Sequence, residues 1–236
     1  MIVWLASYPR SGNTFYRVLL NHLYGIKTYG RKNDETIERI GASDVVGHEL
    51  LPAPLEDLRK EKNVYIVKTH RQPEDDGPAI YIMRDGRDAL VSYARFRVWR
   101  RPKVGVPDGL MKMIGLKTRF ERTLRNLIVN KRYGGWNDHV LNWTLKRKAG
   151  KTFHLKFEDL IQDPGPWLKK GFETLNVEAA PVGGAIPSFQ ELNQKWPDYF
   201  RKGKVGSWRE EMSSEMHDLF WKHNAEAMDA FSYRRD

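Results

Sequence analysis

Arg10, Ser11, Gly12, Asn13 and Thr14 stand in a row inside the stretch SYPRSGNTFYRVLL, Ser7 to Leu20, directly after the apolar run MIVWLA. A cation, two hydroxyls and a glycine, placed where an apolar run gives way to a helical pattern, are the parts of an anion site. Small residues at a helix start direct several backbone N–H groups to one spot, where Arg10 and the Ser11 and Thr14 hydroxyls would add donors. A phosphate or sulfate group suits such a turn. Taken alone, the same residues fit an ordinary capped strand-to-helix turn equally well. The GxxxxGK[ST] pattern of nucleoside triphosphatases is absent, because Asn13 rather than lysine precedes Thr14.

A second cation and hydroxyl break that tie. In IYIMRDGRDALVSYARF, Arg84 closes an apolar run and Ser92 follows eight residues later, about two turns into the next helical pattern. So spaced, a guanidinium and a hydroxyl can converge on a second anionic group.

These groups need strands and helices to hold them. Four runs rich in β-branched and aromatic residues are expected to be strands: Ile2–Tyr8, Asn63–His70, Ala79–Asp85 and Thr152–Asp159. Each is nearly continuously apolar, as central strands covered on both faces are. Helical patterns fall at Asn13–Tyr24, Asp34–Ile40, Gly86–Trp99, about Met111–Asn130, Asn137–Lys148, Pro166–Leu175 and Ser213–Met228. The alternation predicts an α/β fold with an open parallel sheet and right-handed crossovers. Ligands bind beyond the carboxyl ends of such strands, which would bring Tyr8–Thr14, Lys68–His70 and Arg84–Asp85 to one edge.

The 236 residues suffice for one well-buried domain, and no repeat or composition shift marks a second. A single domain over 1–236 is expected, with Arg95–Gly135 as a helical elaboration over the sheet edge, where loops of this kind carry substrate contacts. Forty Lys and Arg against thirty Asp and Glu leave a formal charge of +10, which favours a nucleotide, a nucleic acid, an acidic glycan or a membrane surface. There is no cysteine, which excludes a disulfide framework, a thiolate metal site and a cysteine nucleophile. Ile2–Ala6 is too short for a signal-peptide core and no run is long enough to span a membrane, so a soluble, cytoplasmic protein is expected. Arg95–Lys103 holds five cations in nine residues. A solvated helix face is the common reading of such a run, and contact with an acidic substrate or the periphery of an anionic membrane is the functional alternative.

At this point the chain resembles the cytosolic-type sulfotransferases. YPRSGNTF is similar to their YPKSGTTW loop, and RDGRDALVSYARF to their RNxKDxxVSYYxF segment. FRKGKVGSWREEMS is similar to FxRKGxxGDWKNxFT, with shorter echoes in VKTHRQP, GGWNDHVLNW, LKFEDLIQDP and PSFQELN, all in the family's order. The resemblance implies a P-loop-like three-layer α/β fold, with a central, mostly parallel sheet flanked by helices. It implies 3′-phosphoadenosine 5′-phosphosulfate (PAPS) as co-substrate, adenosine 3′,5′-bisphosphate (PAP) as product, and no metal.

Carried over residue by residue, the resemblance gives the first turn, Arg10 to Thr14, to the 5′-phosphosulfate. Arg84, Ser92, Arg201, Lys202 and Gly203 go to the 3′-phosphate, and Phe15, Phe157 and Phe189 to the adenine. Arg10 stands where the family has lysine, Phe15 where it has Trp, and Phe157 where it has Tyr, so charge and stacking are kept and one hydroxyl is lost. Sulfuryl transfer needs a base and a cationic, donor-rich surround for the leaving oxygen. His70 is the expected general base, since imidazole titrates near neutral pH, with Lys68 and Arg10 as catalytic cations. On the residues alone, His70 reads as a loop histidine and Lys68 as a solvated strand-end lysine.

The acceptor is expected to offer a hydroxyl or amine on a glycan, glycolipid or small natural product, and the oligomeric state is left open. Two other function classes make demands that these residues do not meet. A P-loop kinase or triphosphatase would need a lysine before Thr14 and a strand-end carboxylate for Mg²⁺. A basic, non-enzymatic nucleic-acid binder fits the charge but gives no reason for Lys68 with His70, or for Arg84 and Ser92 at their spacing, so no nucleic-acid partner is expected.

Overall fold

The computed structural model describes the chain except for residues 32–34, 101–106, 114–115, 130–133, 148, 198 and 201–202. It divides into two compact units, one made of Met1–Arg84 with Val140–Ser188, the other of Asp85–His139 with Phe189–Asp236.

The first unit holds a six-stranded sheet. Its strands are β1 (Ile2–Ser7), β2 (Thr28–Gly30), β3 (His48–Leu50), β4 (Tyr65–Thr69), β5 (Ala79–Met83) and β6 (Thr152–Lys156). They run in the order β3-β2-β4-β1-β5-β6, and every paired neighbour is parallel. Central β1 is buried at all six positions, which is why its sequence is continuously apolar. The helices of this unit are α1 (Asn13–Tyr24), α2 (Glu35–Arg39), α3 (Ser43–Val46), α4 (Leu55–Leu58), α9 (Phe157–Leu160) and α10 (Pro164–Leu175). Tyr16, Leu19 and Leu20 of α1 and Leu168, Phe172 and Leu175 of α10 form one core with Val3, Leu5, Ile80, Ile82, Phe153 and Leu155 of the sheet. Each such buried side chain contributes about 1.5–3 kcal/mol. α1 stops at Gly25, whose φ of 64° lets its N–H reach back to Asn21.

The second unit is helical: α5 (Gly86–Trp99), α6 (Asp108–Met113), α7 (Arg119–Val129), the first half of α8 (Gly135–Trp143), α11 (Phe189–Lys195), α12 (Trp208–Glu211) and α13 (Ser214–Ala230). The Asp85 carboxylate caps α5 by accepting the Arg87 N–H at 2.9 Å. Gly86 has no side chain because an added Cβ would sit 2.7 Å from both Trp136 and Phe220. Among the described residues no helix is long and apolar enough to cross a membrane.

The four expected strands and the main helices are present. The helix expected over Asn137–Lys148 stops at Trp143, the short α3, α4, α11 and α12 were not expected, and there are three further differences. β6 stops at Lys156 instead of running to Asp159, because Glu158 and Asp159 favour the first turn of a helix, α9. The helix expected over about Met111–Asn130 is two, α6 and α7. A capping box separates them: the Thr118 hydroxyl accepts the Glu121 N–H at 3.2 Å and the Glu121 carboxylate accepts the Thr118 N–H at 2.7 Å. The short strands β2 and β3, three residues each, have no counterpart in the sequence reading.

Candidate active site

Five residues, Tyr8 to Gly12, join β1 to α1. Two of them are left-handed, Arg10 with φ 69° and Gly12 with φ 100°. Such backbone is ordinary for glycine but costs a residue like Arg10 on the order of 1–3 kcal/mol. Left-handed residues in a tight turn point successive N–H groups to one side, forming a nest for an anion. The Ser11 N–H closes the turn onto the Tyr8 carbonyl at 3.2 Å, and the helix ladder begins with Tyr16 N–H to Gly12 carbonyl at 3.0 Å. The N–H groups of residues 12–15 therefore lie ahead of that ladder. Ser11 is fully buried, and its hydroxyl has no hydrogen-bond partner among the described residues. An orphaned buried donor is costly, and a phosphate or sulfonate oxygen is the acceptor that would offset it.

Two details of the turn were not legible in the sequence. The Asn13 amide donates to the Leu5 carbonyl at 3.0 Å, so this side chain ties α1 to β1. A Cβ at Gly12 would run into the Phe157 ring. Gly12→Ala therefore combines overpacking with a left-handed penalty, a loss of about 2–4 kcal/mol and about 5–15 °C in Tm. An unchanged thermal midpoint would show that neither constraint is real.

β4 runs beside β1 with Leu5 opposite Lys68 and Ala6 opposite Thr69, which brings His70 next to Ser7. His70 Nδ1 lies 2.8 Å from the Ser7 carbonyl oxygen and 3.3 Å from the Ser7 hydroxyl. A carbonyl only accepts, so Nδ1 carries the hydrogen and Nε2 is the lone-pair nitrogen of the neutral ring. Lys68 is half-buried within β4. Just past His70, the Trp143 indole donates to the Arg71 carbonyl at 2.8 Å and the Asn142 amide to the Gln72 side chain at 3.1 Å. Trp143 is in turn stacked on Tyr81 at 6.2 Å and 15°. Ser7, Asn142 and Trp143 were missed as supporting residues, although the last two lie within the GGWNDHVLNW echo.

Arg84 follows β5 and is 8% exposed. Its Nη1 donates to the Arg10 carbonyl at 3.3 Å and its guanidinium lies 4.8 Å over the Phe157 ring. The cation expected at a second anion thus abuts the first turn, from which it was separated by more than seventy residues of sequence. Phe157, 3% exposed, belongs to the core and forms a floor under Gly12 and Arg84. The half-buried Phe15 meets it edge-on at 6.4 Å.

In the second unit Ser92 is half-buried on α5. Phe189 begins α11 and packs edge-on to Phe200 at 6.2 Å, and Gly203 is left-handed, with φ 59°, against the Phe189 ring. Arg201 and Lys202 lie outside the described residues. The basic run is partly committed within this unit. Arg95 pairs with Glu211 at 2.8 Å and lies 3.9 Å over Phe120, while Arg97 and Arg100 lie over Tyr93 and Phe96. Residues 101–103 are again outside the described set. His139 is fully buried. Among the described residues no three His, Asp or Glu side chains gather as metal ligands would.

The family model described as "Sulfotransferase domain" matches residues 2–232. Sulfotransferase 1E1 of Mus musculus is 24% identical over 95% of this chain and 82% of its own length. Sulfotransferase 1B1 of Mus musculus is 24% identical over 87% and 75%. Among solved structures, mouse sulfotransferase SULT7A1 complexed with PAP superposes with a TM-score of 0.64 at 20% identity, covering 98% of this chain and 86% of that one. Retinol dehydratase in complex with androsterone and PAP gives 0.57 at 18% identity, over 96% and 80%. These two likenesses extend to the fold.

Proposed function

We infer the reaction from one premise: this chain belongs to the sulfotransferase domain family. It is a sulfotransferase, and we propose PAPS as donor and a hydroxyl or amine as the accepting group. In the transfer, the acceptor atom bonds to sulfur as the bond from sulfur to the bridging phosphate oxygen breaks, in line, with the electron pair leaving on that oxygen. His70 Nε2 takes the acceptor's proton, with Nδ1–H held on the Ser7 carbonyl so that the ring stays in this tautomer. Arg10, Lys68, Thr14, the Ser11 hydroxyl and the N–H groups of residues 12–15 surround the phosphosulfate and stabilise charge on the leaving oxygen. Arg84, Ser92, Arg201, Lys202 and Gly203 take the 3′-phosphate, and Phe15, Phe157 and Phe189 the adenine.

The observation that carries this reading is the pairing of a tautomer-fixed histidine just past β4 with the strained turn just past β1, the two meeting at Ser7. PAP, the nucleotide held by both structural relatives, gives the simplest test. At about 100 times its Kd, PAP stabilises the chain by about 2.7 kcal/mol, a rise of about 5–10 °C in Tm. ATP with Mg²⁺ gives no comparable rise, because it lacks a 3′-phosphate. Equal shifts with the two ligands would refute PAPS as the donor.

The acceptor class we favour is a glycan, a glycolipid or a small natural product, and the cytoplasm as the compartment. Arg97 and Arg100 are the cations of the basic run proposed to meet an acidic acceptor or an anionic membrane surface.

A further inference from the structure

Asp88 sits in the first turn of α5 and is 1% exposed. Both its oxygens hold one short stretch of chain. Oδ2 accepts the Gly206 N–H at 2.7 Å, and Oδ1 accepts the Trp208 N–H at 2.9 Å and the Ser207 hydroxyl at 3.1 Å. α12 begins at Trp208 with Ser207 at its N-cap, yet the Ser207 hydroxyl makes no bond to its own helix. The cap comes instead from the Asp88 carboxylate, which binds three consecutive residues in one register. A buried carboxylate is costly unless it is hydrogen-bonded in this way.

The segment so held is the continuation of the strip proposed to meet the 3′-phosphate. At its start, Gly203 is left-handed, and a Cβ there would lie 2.6 Å from the Phe189 ring. At its end, Gly206, also left-handed with φ 79°, enters the Asp88 bonds. The Trp208 ring is held as well, since the Arg87 guanidinium lies 3.9 Å over it while pairing with Asp85 at 2.8 Å. Asp88 and Ser92 are four residues apart on α5 and share a face of that helix. One helix face thus carries a proposed phosphate contact and the tether of the chain that follows Gly203.

We propose that Asp88 is a positioning residue for the nucleotide: its carboxylate orders the strip from Gly203 to Trp208 before PAPS arrives, so that binding does not bear the ordering cost. The proposal rests on the assignment of Ser92 and Gly203 to the nucleotide. Asp88 touches no reacting atom, so its loss acts on affinity and spares the chemical step.

The test compares Asp88→Ala, Asp88→Asn and Ser207→Ala with the unaltered chain. PAP affinity is read by calorimetry, turnover by steady-state kinetics, and the Gly206 and Trp208 amides by hydrogen exchange. Asp88→Ala should raise the PAP Kd and the PAPS KM by about 10–100-fold and leave kcat at saturating PAPS within about threefold. Asp88→Asn keeps one acceptor but turns an NH₂ toward a donor, and an increase of about 3–10-fold is expected. Ser207→Ala, which removes one donor of three, should stay within about threefold. Where Asp88→Ala does not fold, Asp88→Asn decides by the same ratio. Unchanged PAP affinity in the folded Asp88 variants, or a fall in kcat at constant KM, overturns the proposal. If the unaltered chain itself binds no PAP, the nucleotide assignment fails, whereas PAP binding that ignores Asp88 removes the positioning role alone.

Discussion

Replacing His70 with alanine lowers kcat by about 10³–10⁴-fold while the PAP Kd changes by less than about threefold. The upper part of that range corresponds to about 5 kcal/mol of transition-state stabilisation. The separation follows from where the ring is held. Nδ1–H is bound to the Ser7 carbonyl at 2.8 Å, so the imidazole offers a future proton site at Nε2 and adds no charge toward a phosphate in its neutral form. His70→Gln is the sharper comparison. It fills a similar volume and can donate to the same carbonyl, but has no basic nitrogen, so it should be as inactive as the alanine variant. Steady-state turnover with labelled PAPS, set beside calorimetric PAP binding, gives both quantities. Near-normal kcat in either variant would remove His70 as the base, and a parallel collapse of PAP affinity would recast it as a binding residue.

The second large effect is on the nucleotide. Arg84→Ala raises the PAP Kd by about 10²–10³-fold, as loss of a charge-assisted, two-pronged phosphate contact does. Arg84→Lys recovers only part of this, because a compact ammonium does not reproduce the planar fork. The guanidinium also donates to the Arg10 carbonyl at 3.3 Å and covers the Phe157 ring, so its removal takes a bond from the first turn as well. Adenosine 5′-monophosphate separates these causes. If Arg84 reads the 3′-phosphate, affinity for the monophosphate changes by less than about fivefold and the preference for PAP over it collapses. Equal loss for both nucleotides would assign Arg84 to the turn instead.

Both expectations depend on contacts that join residues distant in the chain, and this marks the boundary of what the sequence could say. The helices Asn13–Tyr24 and Gly86–Trp99 were legible to their end residues, because their starts and stops are written locally: Gly12 and Gly25 flank the first, and Asp85 caps the second. The buried strands were legible as apolar runs. β2 and β3 were not, since three-residue strands carry no periodicity and exist only because β4 and β2 offer edges to pair with. The break between α6 and α7 was written as Thr118 and Glu121, three apart, but the longer helical pattern around it masked the cap.

For the site, residue types in the first turn fitted an anion site and an ordinary capped turn equally well, the spacing of Arg84 and Ser92 favoured the anion site, and the resemblance gave His70, Arg84 and Ser92 their expected roles. The sequence also determined the chemistry on offer: cations, hydroxyls and an imidazole at strand ends, without a thiol. Only the tertiary structure decided which acceptor each donor meets. The parallel register of β1 and β4 sets Ser7 beside His70 across 63 residues and so chooses the imidazole tautomer. Burial leaves the Ser11 hydroxyl without a hydrogen-bond partner among the described residues, turns the Asn13 amide inward to Leu5, and makes Phe157 a floor for Gly12 and Arg84. Asp88, one acidic residue among thirty Asp and Glu in the sequence, becomes a three-donor tether. Periodicity and side-chain chemistry are local properties and can be read along the chain, whereas the partner of a hydrogen bond is fixed by which segments pack together.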